Sequence, residues 1–225
     1  MPVEPNAAVE ITALSWVPDF AKGVVRDLRV RWALEEVGAS YRERLFHGAE
    51  ERSAEYLREQ PFNQVPAYSD GEVRMFETGA IVLWIAEGSE TLMPRDPQGR
   101  ARAMSWTVAA LNSLEPSIQQ VVSLDLFHAG APWRPGAREA AVGLARMRLN
   151  RLAQRLSGRD YLEDRFTCGD LMTSTVLRIL KDTEVLADYP VLTAYRERCE
   201  ARPAFGRALQ AQLDAFTGEA PAGWS

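Results

Sequence analysis

The chain has 225 residues, of which 46% are hydrophobic and 25% charged, and a formal net charge of −5. Such a composition fits one large or two modest globular domains and argues against extensive disorder. Acidic and basic residues are interspersed, so no polyanion-binding face is advertised and nucleic acid is not an expected partner. The longest apolar runs, such as Ile81–Ala86, are too short to cross a bilayer, so no membrane association is expected. Met1–Glu10 carries acidic residues and no basic n-region, which points away from a secretory signal and toward the cytoplasm. Cys168 and Cys199 are isolated, and His47 and His128 complete no zinc pattern with them. Reduced, structural thiols and no metal are expected.

Met1–Val9 reads as a loose leader. Ile11–Trp16 is rich in β-formers and stopped by Pro18, which predicts a strand. A turn over Asp19–Gly23 leads into a helix from about Val24 to Val37, ended by Gly38. Val25, Leu28 and Trp32 share one face of that helix, and Val30, Ala33 and Val37 another, so it should be covered on two sides. Tyr41–Phe46 predicts the next strand and Ser53–Glu59 a short polar helix. Gln64–Gly79 is the most informative stretch. Pro66 leads into a short strand, Asp70-Gly71 suits a two-residue type I′ turn, and a second strand follows. Glu77-Thr78 then opens a helix through Glu87. The simplest packing of this order is one sheet, built from a βαβ unit and a β-hairpin. Free N–H groups and the positive dipole end at Glu77-Thr78 favour an anion. A small, acidic, peptide-like ligand held by backbone is the expectation; the alternative for Glu77 and Thr78 is ordinary helix capping.

Thr91–Gly99 is the natural boundary, with Asp96 before Pro97 as N-cap and first helical residue. Beyond it every segment reads as helix: Gln98–Phe127 kinked at Pro116, a loop over Gly130–Gly136, and Ala137–Leu156 with a stripe of Val142, Ala145, Leu149, Leu152 and Leu156. Thr167-Cys-Gly-Asp170 is a capping box with Phe166 and Leu171 as its hydrophobic staple, opening an apolar and therefore central helix through Leu180. Pro190–Arg202 and Pro203–Phe216 predict two more helices. The tail Gly218–Ser225 reads as frayed, with Trp224 able to dock.

Five motifs in this order resemble the cytosolic glutathione S-transferases, nearly end to end: Leu28–Glu36, Gln60–Pro66, Phe76–Ile81, Phe166–Leu171, and Tyr189–Leu192 with Ala201–Phe205. The resemblance implies an α/β thioredoxin-like domain over residues 1–91, a linker over 92–98 and an all-helical domain over 99–225. It also implies a homodimer with the site between domains, and detoxifying transfer of glutathione. Carried over by residue, Val65 would offer its backbone to the cysteinyl moiety of glutathione and Pro66 would be the family's cis-proline. Glu77 would hold the γ-glutamyl ammonium and Thr78 the α-carboxylate. Gln64 would reach the glycyl end, unless it is a plain surface glutamine.

The chain departs from the family where the thiol is activated. Members use a Tyr in the first strand, or a Ser or Cys at the start of the first helix. Those positions fall near Trp16 and on Val24 and Val25, and neither valine can donate a hydrogen bond. Arg26 is the candidate replacement, acting electrostatically with free helix N–H groups; the plainer alternative is a solvated or domain-bridging arginine. Lys22 is a weaker candidate. Phe20, Trp106 and Asn112 are candidates for a second-substrate pocket, against ordinary packing or capping. Ser15 has no activating base, and Cys168 reads as a buried filler. The expected activity is conjugation of glutathione to a hydrophobic electrophile. A non-catalytic glutathione-binding or interaction protein is the alternative, and glutathione-dependent isomerisation or peroxide reduction a third.

Overall fold

A computed structural model describes residues 3–47, 50 and 52–221. The chain forms two compact units, one of residues up to Leu92 together with those from Arg202 onward, the other of Met93–Ala201.

The first unit is built on a four-stranded sheet in the order β2-β1-β3-β4. Strand β1 (Val9–Leu14) pairs parallel with β2 (Tyr41–Phe46), from Val9 opposite Tyr41 to Leu14 opposite Phe46. Strand β3 (Ala67–Ser69) runs antiparallel to β1 and to β4 (Arg74–Phe76), so the βαβ unit and hairpin expected from the sequence are present. Two local readings change. The first strand ends at Leu14, which leaves Trp16 beyond the sheet. The hairpin closes through Asp70 N–H to Val73 O at 3.2 Å, and positive φ falls on Gly71 (96°). The central pair is therefore Gly71-Glu72, with Gly at the first position as a type II′ turn requires. Asp70 instead accepts from the N–H groups of Glu72 and Val73, at 3.1 and 2.8 Å, and the Val73 bond is the foremost cause that holds its carboxyl below the usual range. The leader is less loose than expected, since Glu4 N–H donates to Tyr41 O at 2.8 Å. Trp224 lies outside the described residues.

Helix α1 (Asp27–Val37) crosses from β1 to β2 and ends on Gly38 at φ 71°. It starts three residues later than the apolar pattern predicts, because residues 19–26 are taken up by a 3-10 turn (Asp19–Ala21) and the turns after it. Every residue from Asp27 to Glu35 is buried, four of them charged. The two covered sides are therefore real, and the second cover is α10 (Pro203–Asp214). Arg202 grips Glu36 with two bonds of 2.6 and 2.7 Å, Arg207 reaches Glu35 at 2.7 Å, and Gln212 reaches Asp27 at 2.6 Å. Trp32 packs edge-on against Phe205 at 4.8 Å. These contacts place the last helix with the sheet, although in sequence it follows the helices of the other unit. Within α1, Arg31 pairs with Asp27 at 2.7 Å and with Glu43 of β2. Burial pushes the Asp27 carboxyl above its ordinary range; burial works against the Arg31 charge, but the Asp27 and Glu43 carboxylates outweigh it and raise the Arg31 pKa.

The second unit is helical: α4 (Pro97–Ala109), α5 (Glu115–Phe127), α6 (Arg134–Leu156), α7 (Cys168–Arg178), α8 (Glu184–Ala187) and α9 (Pro190–Glu200). Asp96 caps α4 by accepting from Gly99 N–H at 2.7 Å. The expected single helix through Phe127 is interrupted by a π-helical turn over Ala110–Leu114, just before Pro116, whose ring nitrogen cannot donate. Helix α6 begins at Arg134, inside the predicted loop, because Pro135 suits a first-turn position. The capping box of α7 is formed as read. Asp170 is fully buried and accepts from Thr167 N–H (2.9 Å), Leu162 N–H (2.8 Å) and Tyr195 O–H (2.9 Å). Gly169 is required there: a Cβ would fall 2.6 Å from Trp106 Cβ. Cys168 and Cys199 are both buried, and burial pushes both thiols up. Among the described residues, no helix is long and apolar enough to cross a membrane, and no cluster of His, Cys, Asp and Glu could hold a metal.

Two stability predictions follow from these buried charges. Asp170→Ala removes the acceptor of four buried donors, the Thr167 hydroxyl included, and should cost about 3 kcal/mol or more in denaturant unfolding. Arg31→Met strands Asp27 and Glu43 and should cost about 3–5 kcal/mol at neutral pH. In that variant the Asp27 pKa in the folded state stands further above its unfolded value, so the folded state binds the extra proton. Stability should therefore be partly regained as pH falls toward about 5, and lost again as it rises.

Candidate functional site

The Val65–Pro66 bond is cis, and Pro66 is buried while Val65 is half-exposed. Among the described residues, neither the N–H nor the C=O of Val65 has a hydrogen-bond partner. Strand β3 begins only at Ala67, so Val65 lies just past the ladder. A main-chain donor and acceptor left open at the end of a sheet can pair with an extended peptide.

Helix α3 (Thr78–Glu87) follows β4 directly. Its N-cap is Glu77, at φ 70° and ψ 114°. That is the left-handed half of backbone space, costly for a residue with a Cβ, and such positions cluster at ligand sites. The Glu77 side chain makes no capping bond and is exposed, so the ordinary-capping alternative has no hydrogen bond behind it. Thr78 is only 6% exposed and holds the first helical position. Uncapped N–H groups, the positive end of the dipole and a carboxylate beside them suit a zwitterion, its carboxylate at the helix and its ammonium at Glu77. Gln64 is exposed, so its side chain is open to a ligand, and its backbone C=O accepts from Tyr56 O–H at 2.5 Å.

The candidates for thiol activation lie before and at the start of α1. Arg26 is not inside the first turn but at the N-cap of α1, exposed and with helical φ and ψ. Val24 and Val25 sit in the turns before it, half-buried. Lys22 is paired with Asp19 at 2.7 Å. Ser15 donates to Phe46 O at 3.4 Å, and Gly218 N–H reaches Ser15 O at 2.8 Å. Phe20 belongs to the first unit and is 51% exposed. Trp106 and Asn112 belong to the second. The Trp106 indole donates to Glu163 at 2.6 Å, flanked by Arg102 and Arg155, and Asn112 is exposed on the π-helical turn.

Sequence reasoning missed three residues that shape this site: Thr12, Tyr56 and Gln60. Thr12 Oγ1 accepts from Ala67 N–H at 2.7 Å and lies 3.0 Å from Tyr56 Oη. Gln60 Oε1 accepts from Phe62 N–H and Gln64 N–H at 2.7 and 3.3 Å. A buried aromatic on a helix read as polar was the available signal.

Known proteins share this architecture. Residues 21–87 match the family model described as glutathione S-transferase, N-terminal domain. The chain is 30% identical over 169 residues to the disulfide-bond oxidoreductase YfcG of Escherichia coli (strain K12), across 71% of this chain and 78% of that one. It is 29% identical over 194 residues to the probable glutathione S-transferase GSTF1 of Oryza sativa subsp. japonica, across 78% and 86%. Among solved structures, a glutathione transferase from Burkholderia graminis, with two glutathione molecules bound per subunit, superposes with a TM-score of 0.78 at 25% identity, covering 90% of this chain and 88% of that one. The match in sequence and the match in fold agree, and this chain belongs to the cytosolic glutathione S-transferase family.

Proposed function

We propose that the protein binds glutathione at the Val65–Thr78 site and conjugates its thiolate to a hydrophobic electrophile. The observation that carries this is Glu77 at positive φ, heading an uncapped helix beside the open backbone of Val65. In this reading the Val65 N–H and C=O pair with the cysteinyl residue as a strand would. The γ-glutamyl carboxylate takes the Thr78 hydroxyl and the first N–H groups of α3, and Glu77 takes the ammonium. Gln64 meets the glycyl end. No metal is needed.

Sulfur attacks as the thiolate, and an unperturbed thiol near pKa 8.5 is mostly protonated at neutral pH. Lacking a hydroxyl at Val24 and Val25, the chain offers positive potential instead, from Arg26 at the N-cap of α1. The thiol proton leaves to solvent, a C–S bond forms and the electrophile's leaving group departs with its electron pair. Phe20, exposed in its turn, offers an aromatic face to the apolar substrate. A homodimer is the expected assembly.

A second reading is thiol–disulfide exchange by glutathione's own thiolate, suggested by the oxidoreductase named among the relatives. In it the protein's cysteines take no part, since both are buried with raised pKa.

Two measurements test the proposal. Glutathione should raise the melting temperature of the wild-type chain, and Glu77→Gln should weaken binding about tenfold or more, because it removes a charge-assisted bond; an unchanged shift would refute the assignment. With an aryl halide as electrophile, Arg26→Ala should move the pH–rate profile toward higher pH with little change in glutathione KM. An unmoved profile would remove Arg26 from the chemistry, and no turnover across several electrophiles or disulfides would leave a binding protein.

A further inference from the structure

Open backbone groups at Val65 are only useful if the chain around them is held still and its other groups are occupied. Three buried side chains arrange this. The Tyr56 hydroxyl has one proton, which it donates to Gln64 O at 2.5 Å. Its contact with Thr12 Oγ1 at 3.0 Å must then be donated by Thr12. Thr12 Oγ1 in turn accepts from Ala67 N–H at 2.7 Å. The result is a directed chain, from Ala67 N–H through the Thr12 and Tyr56 hydroxyls to Gln64 O, spanning the Val65-Pro66 dipeptide. Each hydroxyl both donates and accepts, an arrangement in which hydrogen bonds strengthen one another.

Gln60 completes the clamp from the other side. It is 2% exposed, and its Oε1 takes the N–H groups of Phe62 and Gln64. Both backbone groups of Gln64 are thereby engaged, Pro66 has no N–H, and Ala67 N–H is taken. The Val65 N–H is left. The Tyr56 ring is itself fixed, packed 4.6 Å from the Phe46 ring and under the Arg44 guanidinium at 5.5 Å. Thr12 and Tyr56 are each 1% exposed, so water does not compete for these bonds.

We propose that Thr12, Tyr56 and Gln60 are positioning residues that hold the 64–67 backbone so that Val65 presents its open N–H and C=O to the bound peptide. The inference deepens the glutathione reading and rests on it for the identity of the ligand, but the clamp can be tested without ligand.

The experiment compares the full-length wild type with Tyr56→Phe, Thr12→Val and Thr12→Ser. Amide hydrogen exchange is followed at Gln64, Val65 and Ala67, and glutathione affinity is measured by titration calorimetry. Tyr56→Phe keeps the ring and its packing, and Thr12→Ser keeps the hydroxyl. The expected result is faster exchange at Ala67 and a roughly five- to tenfold weaker glutathione affinity in Tyr56→Phe and Thr12→Val, with Thr12→Ser close to wild type on both counts. Unchanged Ala67 exchange in Tyr56→Phe and Thr12→Val would overturn the clamp, whatever the affinities. Accelerated exchange with undiminished glutathione binding would overturn its role in presenting Val65. Accelerated exchange in a chain whose wild type binds no glutathione would support the clamp and overturn the ligand.

Discussion

The first unit depends on a helix buried on every side while carrying charge. Asp27, Arg29, Arg31 and Glu35 of α1 are all removed from water. Buried ions are tolerated only when paired and hydrogen-bonded, which constrains what may lie next to them. Glu43 on β2 answers Arg31 from the sheet side, and Gln212 and Arg207 answer Asp27 and Glu35 from α10. The charges of α1 thus select both neighbours, and they fix how the crossover helix lies on the strands. The N-terminus of α1, where Arg26 sits, is set by the same contacts, because Gln212 also donates to Val25 O at 3.1 Å.

On the same sheet, the candidate site is made almost wholly of main chain. What it offers a ligand is set by which backbone groups are free. Val65 is open beside a cis-proline, Glu77 is bent into positive φ, and α3 begins without a cap. Side chains contribute by occupying the groups that must not be free. This separates binding from chemistry. In the proposed reading the Val65–Thr78 stretch holds a small zwitterionic peptide, and activation of its sulfur is assigned to Arg26 at the start of α1.

How much of this was legible in the sequence follows the range of the interactions involved. Strand β2, the α7 capping box and the Asp96-Pro97 start of α4 are written in adjacent residues and appear where they were read. Glu77 and Thr78 were legible as a helix opening, though nothing local announced the positive φ of Glu77. The hairpin turn slipped by one residue because Asp70 is an acceptor for its own loop and not a turn centre. The start of α1 was misplaced because Val24 and Val25 continue its apolar pattern while the backbone is still turning. The π-helical turn before Pro116 was read as a simple kink, since sequence marks the proline but not how the preceding backbone relaxes. Thr12 and Tyr56 escaped notice because their partners lie 55 and 44 residues away. The pairing of α10 with α1 spans more than 160 residues and was invisible for the same reason.

The central claim is that open main chain at Val65, with Glu77 and Thr78, holds glutathione. A crystal structure with glutathione bound tests it most directly. The account predicts two hydrogen bonds between the Val65 backbone and the cysteinyl residue, the γ-glutamyl carboxylate at the first turn of α3, its ammonium against Glu77, and the sulfur on the side of Arg26. Glutathione bound elsewhere, with Val65 N–H and C=O still unpaired, would contradict it.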